Sequence, residues 1–295
     1  MLFRSLDKGS KGDEGEFAPA FIKAMAKLDY VEGKNIAYEY GYANLDFTRF
    51  GPVAAEMVRT RPDAIVAPGT PWVNALLRET SSIPIVTTTG DPVGNGFAKS
   101  LARPGRNVTG LSGAYPEAAM KSIELLTALF PGRWKLAVVG EAGHPYEFSN
   151  RVMEEAARRN GIQTIRMTLR DKGEVERAFA SMRSRGIRLV TVPGVLPGYD
   201  DRALFALTTA SGLAMVSTSN DHVARGVLLG YEAQHGDTEM RMAVQLDKIL
   251  HGIPVGDIPF ELPTTFRLSI NMKTARALGI TISRELMLRA EKVYE

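Results

Sequence analysis

The sequence contains no cysteine among its 295 residues, which excludes disulfide bonds, thiol nucleophiles and cysteine-ligated metal sites. No apolar run reaches the roughly 20 residues that a membrane-spanning helix needs. The opening stretch MLFRSLDKGSKGDEG is polar and lacks the apolar core of a secretory leader. What remains is an ordinary globular composition, 44% hydrophobic and 23% charged, on a chain long enough for two packed cores.

Concentrated positive charge is also missing. The formal net charge is +3, and basic residues are scattered as pairs such as Arg158-Arg159, so the sequence predicts no nucleic-acid interface. The motifs GxxxxGK(S/T), HExxH and GxSxG are absent, and the four histidines are dispersed. We therefore predict no cofactor, no metal site and no catalytic residues, although the Ser, Thr, His and Asp of the loops leave a hydrolase open.

Short apolar runs alternate with amphipathic stretches along almost the whole chain. This alternation predicts an α/β fold with parallel sheets covered by helices on both faces. The runs that predict strands are 64–67, 83–89, 135–140, 187–192, 213–219 and 226–232. The stretches that predict helices are 17–29, 47–60, 72–80, 117–130, 147–160, 174–185, 201–211 and 237–251.

Residues 61–93 and 186–223 share one layout. Each has a strand, a Pro-Gly loop with a second proline, a helix, and a strand that runs into Ser or Thr and an Asp. We interpret the repeat as two similar α/β lobes, although any βαβ unit has roughly this layout. The loop-rich segments 100–118 and 252–266 are interpreted as crossings between the lobes.

The first Pro-Gly loop, APGTPW, predicts an anion-binding helix start. We expect Thr70 to be the N-cap, Pro71 the first helical residue, and Gly69 the position that allows close approach of a ligand. Free backbone N–H groups and the helix dipole suit a carboxylate. Trp72 has two interpretations, an apolar wall for the ligand or a core side chain behind a plain capped helix.

The next strand ends in TTTGDPV, which adds Thr89 and Asp91 to the candidate site. A carboxylate here would accept a ligand ammonium or hydroxyl group. The alternative is an Asx-type turn in which Asp91 stabilises its own loop.

Equivalent loops in the second half hold Tyr146, Tyr199, Asn220 and Asp221 as candidate ligand contacts. Asn220 or Asp221 has the alternative role of capping a short helix. Tyr231, in the sequence GYE, is interpreted as a ligand contact, a core residue or a hinge residue.

The stretches YVEGKN, SLARPGRNVTG and INMKTARALGI resemble the ABC-transporter substrate-binding proteins of the tryptophan/tyrosine-uptake-like type. The resemblance runs from about Phe17 to the C-terminus. It implies a type I periplasmic-binding-protein fold, with two Rossmann-like lobes joined by three crossovers and a ligand held in the cleft by hinge closure. The family's GTP turn falls on Gly69, Thr70 and Pro71, and its DP on Asp91 and Pro92. The family's apolar first strand is replaced here by a polar start, so no ligand contact is expected from residues 5–16.

The resulting function is the solute-binding component of an ABC importer that captures an amino acid or a small, possibly aromatic, carboxylate. The expected lobes are residues 1–111 with 233–260, and 112–232 with 261–295. The expected partners are the small-molecule ligand and a membrane permease, the chain being a monomer in the periplasm or another extracytoplasmic space. Two alternatives stay open: a two-lobed transferase or hydrolase, and a cytoplasmic ligand sensor of the same fold.

Overall fold

The computed structural model of the protein describes residues 2–7, 17–43, 46–130, 134–141, 147–193 and 196–295. The chain divides into two compact units, Met1–Gly113 with His235–Thr264 and Ala114–Gln234 with Thr265–Glu295. It passes from one unit to the other three times, and each division lies a few residues beyond the boundary expected from the sequence. No helix within these described ranges is both long and apolar enough to cross a membrane.

The first unit is built on a parallel sheet with the strand order β2-β1-β3-β4-β5. Its strands are β1 Leu2–Asp7, β2 Ala37–Tyr42, β3 Ala64–Val66, β4 Ile85–Thr89 and β5 Val108–Ser112. Its helices are α1 Phe17–Ala26, α2 Phe50–Arg59, α3 Thr70–Glu79 and, from the returning chain, α9 Thr238–Leu250.

Alternation of side chains along these strands gives the first sheet two apolar faces. Ile65 and Ile85 pack with α2 and α3, while Val66 and Val86 pack with α1 and α9. All four side chains are fully buried. The continuous apolar runs of the sequence reflect this double burial.

The second unit is built on a seven-stranded sheet with the order β12-β11-β10-β9-β8-β6-β7. Its strands are β6 Lys135–Glu141, β7 Gln163–Leu169, β8 Ile187–Thr191, β9 Ala214–Ser217, β10 Leu229–Gln234, β11 Thr265–Asn271 and β12 Lys292–Tyr294. Its helices are α4 Tyr115–Leu129, α5 Glu147–Arg159, α6 Lys172–Met182, α7 Asp201–Ala210, α8 Asn220–Ala224, α10 Met272–Ala277 and α11 Arg284–Arg289.

Most pairs in the second sheet are parallel, but β10 and β11 are antiparallel. Leu136 and Val138 pack on the face covered by α4 and α5, and Ala137 and Val139 on the face covered by α6 and α7. The α/β class with parallel sheets predicted from the sequence is confirmed. The strands β7, β11 and β12 of this sheet were not predicted.

The two units wind in the same way. Replacing β1 to β5 by β6 to β10 turns the order of the first sheet into the order β7-β6-β8-β9-β10 of the second. The repeated segments 61–93 and 186–223 contain β3-α3-β4 and β8-α7-β9, which are equivalent parts of the two sheets. The layout shared by the two segments thus marks the same topological step.

Two segments need correction. The polar start of the chain contains β1, which lies between β2 and β3 in the first sheet, although the sequence indicated no apolar first strand. The segment 100–118 does contain the first division between the units, after Gly113, but it also contains all of β5, which was not predicted. No ligand contact was expected from residues 5–16. Residues 5–7 belong to β1, and residues 8–16 lie outside the described residues.

Candidate functional site

The start of α3 lies at the carboxyl end of β3, where parallel α/β sheets present their ligand-binding loops. Its N-cap is Gly69, with φ 106° and ψ 140°, and Thr70 is already the first helical residue. The prediction that Thr70 caps the helix and that Pro71 begins it is therefore wrong by one residue. Gly69 occurs here because its backbone angles are costly for any other residue.

The hydroxyl group of Thr70 contacts the end of β4, the strand next to β3 in the sheet. Its Oγ1 lies 2.8 Å from Oγ1 of Thr89, the last residue of β4. Thr89 is buried, while Thr70 is half-buried. The first N–H groups of an α-helix have no acceptor within the helix, so a hydroxyl pair and free N–H groups lie together at this edge of the first sheet.

Trp72 belongs to the core. Its ring stacks on Phe50 of α2 with centroids 3.8 Å apart and planes at 3°, and its side chain is only 5% exposed. This packing supports the core alternative for Trp72, and a ligand contact from its ring stays a prediction. The physical reason is that α2 and α3 pack together on one face of the sheet and enclose the indole.

Asp91 forms the Asx turn that the sequence offered as the alternative. Its Oδ1 accepts hydrogen bonds from the backbone N–H groups of Val93, at 3.0 Å, and Gly94, at 2.8 Å. Asn95 Nδ2 in turn donates to the Asp91 carbonyl at 2.7 Å. A ligand contact from Asp91 stays a prediction, but one carboxylate oxygen is already used by the loop.

In the second unit, Asn220 is the candidate residue with an unusual environment. It is the first residue of α8, directly beyond the end of β9, and it is 7% exposed. Neither Oδ1 nor Nδ2 forms a hydrogen bond with any group in the described part of the chain. A buried amide without partners costs about 1–3 kcal/mol, so this arrangement calls for a polar group beyond those of the described residues.

Glu232 lies beside Asn220. Its Oε2 accepts long hydrogen bonds from the backbone N–H of Asn220, at 3.3 Å, and from Gln234 Nε2, at 3.2 Å. Burial raises the pKa of this carboxyl group above its usual range, and the Asp221 carboxylate adds to the rise. In the structure as described, no Lys or Arg forms an ion pair with Glu232.

The capping role proposed for Asn220 or Asp221 is wrong. The N-cap of α8 is Ser219, whose side chain makes no capping bond, and Ser217 Oγ accepts from the Ser219 N–H instead. Asp221 is exposed on the first turn of α8. Its direct contact with a ligand stays a prediction.

The described contacts of Tyr231 and Tyr199 are with residues other than Asn220. Tyr231 stacks on Phe266 of β11, with centroids 5.3 Å apart, and packs against the α4 side of the sheet. Its neighbour Glu232 points to the opposite face, because successive side chains alternate along a strand. Tyr199 donates to Glu176 at 3.3 Å and lies under Lys172 Nζ. Tyr146 lies outside the described residues.

Sequence reasoning missed Glu232 as a site residue, although it quoted the motif GYE. The available signal was an acidic residue at the end of an apolar run, one position after the aromatic that was chosen. The period of two along a strand assigns these neighbours to different faces, but only the pairing with α8 shows which face holds the site. Among the described residues no group of three or more His, Asp or Glu side chains could hold a metal ion.

Comparison with known proteins gives consistent matches along the chain. A family model described as "ABC transporter substrate binding protein" matches residues 16–294. A curated tyrosine-binding protein of Clostridioides difficile (strain R20291) is 28% identical and aligns with 94% of this chain and 78% of its own length.

Solved structures agree in fold. The ABC domain in complex with L-Trp from Streptococcus pneumonia has a TM-score of 0.82 at 19% identity and covers 99% of both chains. The ligand-free, open structure of a Clostridium difficile substrate-binding protein with adhesive properties has a TM-score of 0.66 at 22% identity, again over 99% of both chains. These matches support the type I periplasmic-binding-protein fold expected from the sequence.

Proposed function

The chain belongs to the ABC transporter substrate-binding protein family, and from this premise we propose that it captures an aromatic L-amino acid for an ABC importer. Two relatives support this choice of ligand, one named for tyrosine and one solved with L-tryptophan. The family and these relatives are binding proteins rather than enzymes.

The observation that carries the proposal is the pair of Asn220 and Glu232 at the carboxyl edge of the second sheet. Among the described residues the amide has no hydrogen-bond partner and the half-buried carboxylate forms no ion pair, although the charge of Arg267 on the neighbouring strand acts on it. An α-ammonium group supplies a cation for the carboxylate and a donor for Asn220 Oδ1, while Asn220 Nδ2, itself a donor, needs a separate acceptor. We infer that this pair recognises the amino end of the ligand, with Asp221 adding negative charge nearby.

The acid end of the ligand is assigned to the edge of the first sheet. The N-terminus of α3 offers free N–H groups and the positive end of the helix dipole, and Thr70 and Thr89 add hydroxyl donors. Asp91 remains a proposed neighbour of the ligand, and Tyr146 and Tyr199 remain the proposed contacts for its ring. A micromolar affinity needs only about −8 kcal/mol, which a few charge-assisted hydrogen bonds and one aromatic contact provide.

The biological setting follows the family. We propose that capture takes place outside the cytoplasm and that the ligand is passed to a membrane permease. The monomeric state and the position of the ligand between the lobes stay predictions from the sequence.

The test is calorimetric titration with a series of ligands that differ by one group. L-Tryptophan and L-tyrosine are expected to bind, whereas indole-3-propionate, which lacks the ammonium group, and tryptamine, which lacks the carboxylate, are each expected to bind at least about tenfold more weakly. Indole-3-propionate binding as tightly as L-tryptophan would remove the role given to Asn220 and Glu232. No binding of either amino acid, with binding of another solute class, would refute the ligand assignment.

A further inference from the structure

The amino-terminal edge of the second sheet carries a cavity that the proposed function does not use. Its volume is about 490 Å³, and it lies around Trp134, which precedes β6, and Arg188, the second residue of β8. The other lining groups include Phe130, Arg183 and the turn that follows α10. This edge is opposite the carboxyl edge that holds Asn220 and Glu232, because parallel strands run in one direction.

A second cavity of about 570 Å³ continues this region. It shares Trp134 with the first cavity and adds Lys135 and Arg185. None of the described residues that line the two cavities is an Asp or a Glu. The region therefore contains four cations around one indole ring without an acidic side chain in its walls.

Several arginines elsewhere in this unit form ion pairs with acidic side chains. On the α5 surface, Arg158 and Arg159 both pair with Glu155, and Arg166 pairs with Glu154. In the described ranges of the chain, by contrast, none of the four cations around Trp134 forms an ion pair. Arg183 donates only to the Gly212 carbonyl, at 3.0 Å, and Arg188 is exposed without a described hydrogen bond.

The indole ring is held in place beside these charges. Trp134 Nε1 donates to the Phe130 carbonyl at 2.5 Å, and the two rings meet edge to face with centroids 6.1 Å apart. Both side chains are half-buried. A fixed aromatic surface next to planar guanidinium groups suits a flat ligand that carries an oxyanion, since arginine binds carboxylates and phosphates through paired donors.

We propose that this cavity is a second ligand site, distinct from the amino-acid site, for an aromatic compound bearing a carboxylate or phosphate group. Arg188 and Arg183 bind the oxyanion, and Trp134 and Phe130 contact the ring. The absence of an acid from the described walls excludes the ammonium group of an amino acid, so the site discriminates against zwitterions.

The experiment uses Trp134 fluorescence in the variant Trp72→Phe, in which Trp134 is the remaining tryptophan. The probes are phenyl phosphate, benzoate, inorganic phosphate and the neutral benzyl alcohol. Phenyl phosphate and benzoate are expected to change the fluorescence saturably, and benzyl alcohol is not. Phenyl phosphate binding together with no response to benzoate would identify a phosphate site, and the reverse a carboxylate site.

Two matched variants distinguish binding at a defined site from general attraction by the positive charges of the region. Arg188→Gln is expected to weaken phenyl phosphate binding by about tenfold or more. Arg185→Gln removes one positive charge from the neighbouring cavity alone. It is expected to change the affinity for phenyl phosphate by less than about twofold. Calorimetry on the unaltered protein repeats the titration, so a folding defect in Trp72→Phe leaves the proposal testable.

Two results would overturn the proposal. One is the absence of saturable binding of either aromatic anion. A lower melting temperature of Arg188→Gln would then mean that the cations only neutralise helix carboxyl ends. The other is equal weakening by Arg185→Gln and Arg188→Gln that disappears at high salt, which would mean diffuse attraction without a defined site.

Discussion

The two sheets share one winding order but differ in how their carboxyl edges satisfy polar groups. In the first unit, the Thr70 and Thr89 hydroxyls pair with each other and Asp91 stabilises its own turn. In the second, within the described part of the chain, the Asn220 side chain has no hydrogen-bond partner and Glu232 forms no ion pair. The polar side chains of the first edge therefore have partners within the chain, beside the free N–H groups of α3. Those of the second edge need an additional charged group.

The difference teaches that equivalent loops of a repeated topology do not have equivalent chemistry. The first edge offers donors and the positive end of α3, whereas the second offers a carboxylate and an amide. Each of the following experiments tests one side of this comparison.

The largest expected effect concerns two glycines in equivalent strands. In β5, a Cβ atom at Gly110 would lie 1.8 Å from the Thr87 carbonyl oxygen, and its φ of 148° disfavours other residues. In β10, a Cβ atom at Gly230 would meet the Val223 side chain at 2.5 Å. We expect Gly110→Ala to lower the free energy of unfolding by about 3 kcal/mol or more, and Gly230→Ala by about 1–3 kcal/mol.

Urea unfolding of both variants measures this difference. The reason for the order is that a side chain can shift to relieve a clash, whereas the Thr87 backbone is fixed by its sheet. A smaller effect for Gly110→Ala than for Gly230→Ala would show that the first sheet is the more adaptable one.

The second prediction concerns the amino end of the ligand. Glu232→Gln is expected to weaken L-tryptophan binding by about 1.5–3 kcal/mol, because a charge-assisted hydrogen bond to the ammonium group is lost. The matched control is Asp221→Asn, which removes an exposed charge one residue from Asn220 and is expected to cost less than about 1 kcal/mol. Calorimetry measures both, and equal losses would reduce the role of Glu232 to long-range attraction.

The third prediction concerns the hydroxyl pair of the first edge. Thr70→Val removes the partner of the buried Thr89 hydroxyl and is expected to lower the free energy of unfolding by about 1 kcal/mol. The double variant with Thr89→Val is expected to lose less than the sum of the single variants, because no unpaired hydroxyl then remains. Strict additivity in urea unfolding would contradict the hydrogen bond.

Thr70→Val also tests the ligand assignment of the first edge. Weaker L-tryptophan binding with unchanged binding of tryptamine is expected, since tryptamine has no carboxylate to lose a contact. An equal effect on both ligands would move the carboxylate away from α3.

The smallest effect is a dependence on pH. Burial raises the pKa of Glu232, so the folded protein without ligand keeps this proton to a higher pH than the unfolded chain does. Its contribution to stability therefore falls as the pH rises from the usual carboxyl range through the raised pKa. Affinity for the ammonium ligand changes in the opposite direction and rises over the same window, because binding needs the ionised carboxylate.

Titrations at several pH values, compared with the Glu232→Gln variant, measure this effect. The variant is expected to lose the part of the pH dependence that lies above the usual carboxyl range. The same pH profile in both proteins would assign the dependence to another group.

Prediction from sequence succeeded where several apolar residues follow one another, as in the runs 83–89 and 135–140. The structure has these strands at Ile85–Thr89 and Lys135–Glu141, so the sequence located both within two residues. It failed at Leu2–Asp7 and at Val108–Ser112, where the run is short or contains polar and glycine residues. Such strands are stabilised by their neighbours in the sheet more than by their own pattern.

At the site, local chemistry was partly readable and contacts were not. The sequence located the loop at Gly69 and Thr70 and the Asx alternative for Asp91. It assigned the cap to the wrong residue, because the φ of Gly69 cannot be read from a pattern. It selected Tyr231 rather than Glu232, because the neighbouring helix α8 determines which face of β10 meets Asn220.

The sequence by itself determined the alternation of strands and helices, the repeat of one topological step, and the turn residues at the strand ends. These follow from short-range periodicity and backbone preferences, which each segment carries alone. Only the tertiary structure decided that Trp72 stacks on Phe50, that Thr70 meets Thr89, and that the buried Asn220 side chain has no partner among the described residues. The contacts of Trp72 with Phe50 and of Thr70 with Thr89 join residues that are distant along the chain, and the order of strands in the sheet brings them together.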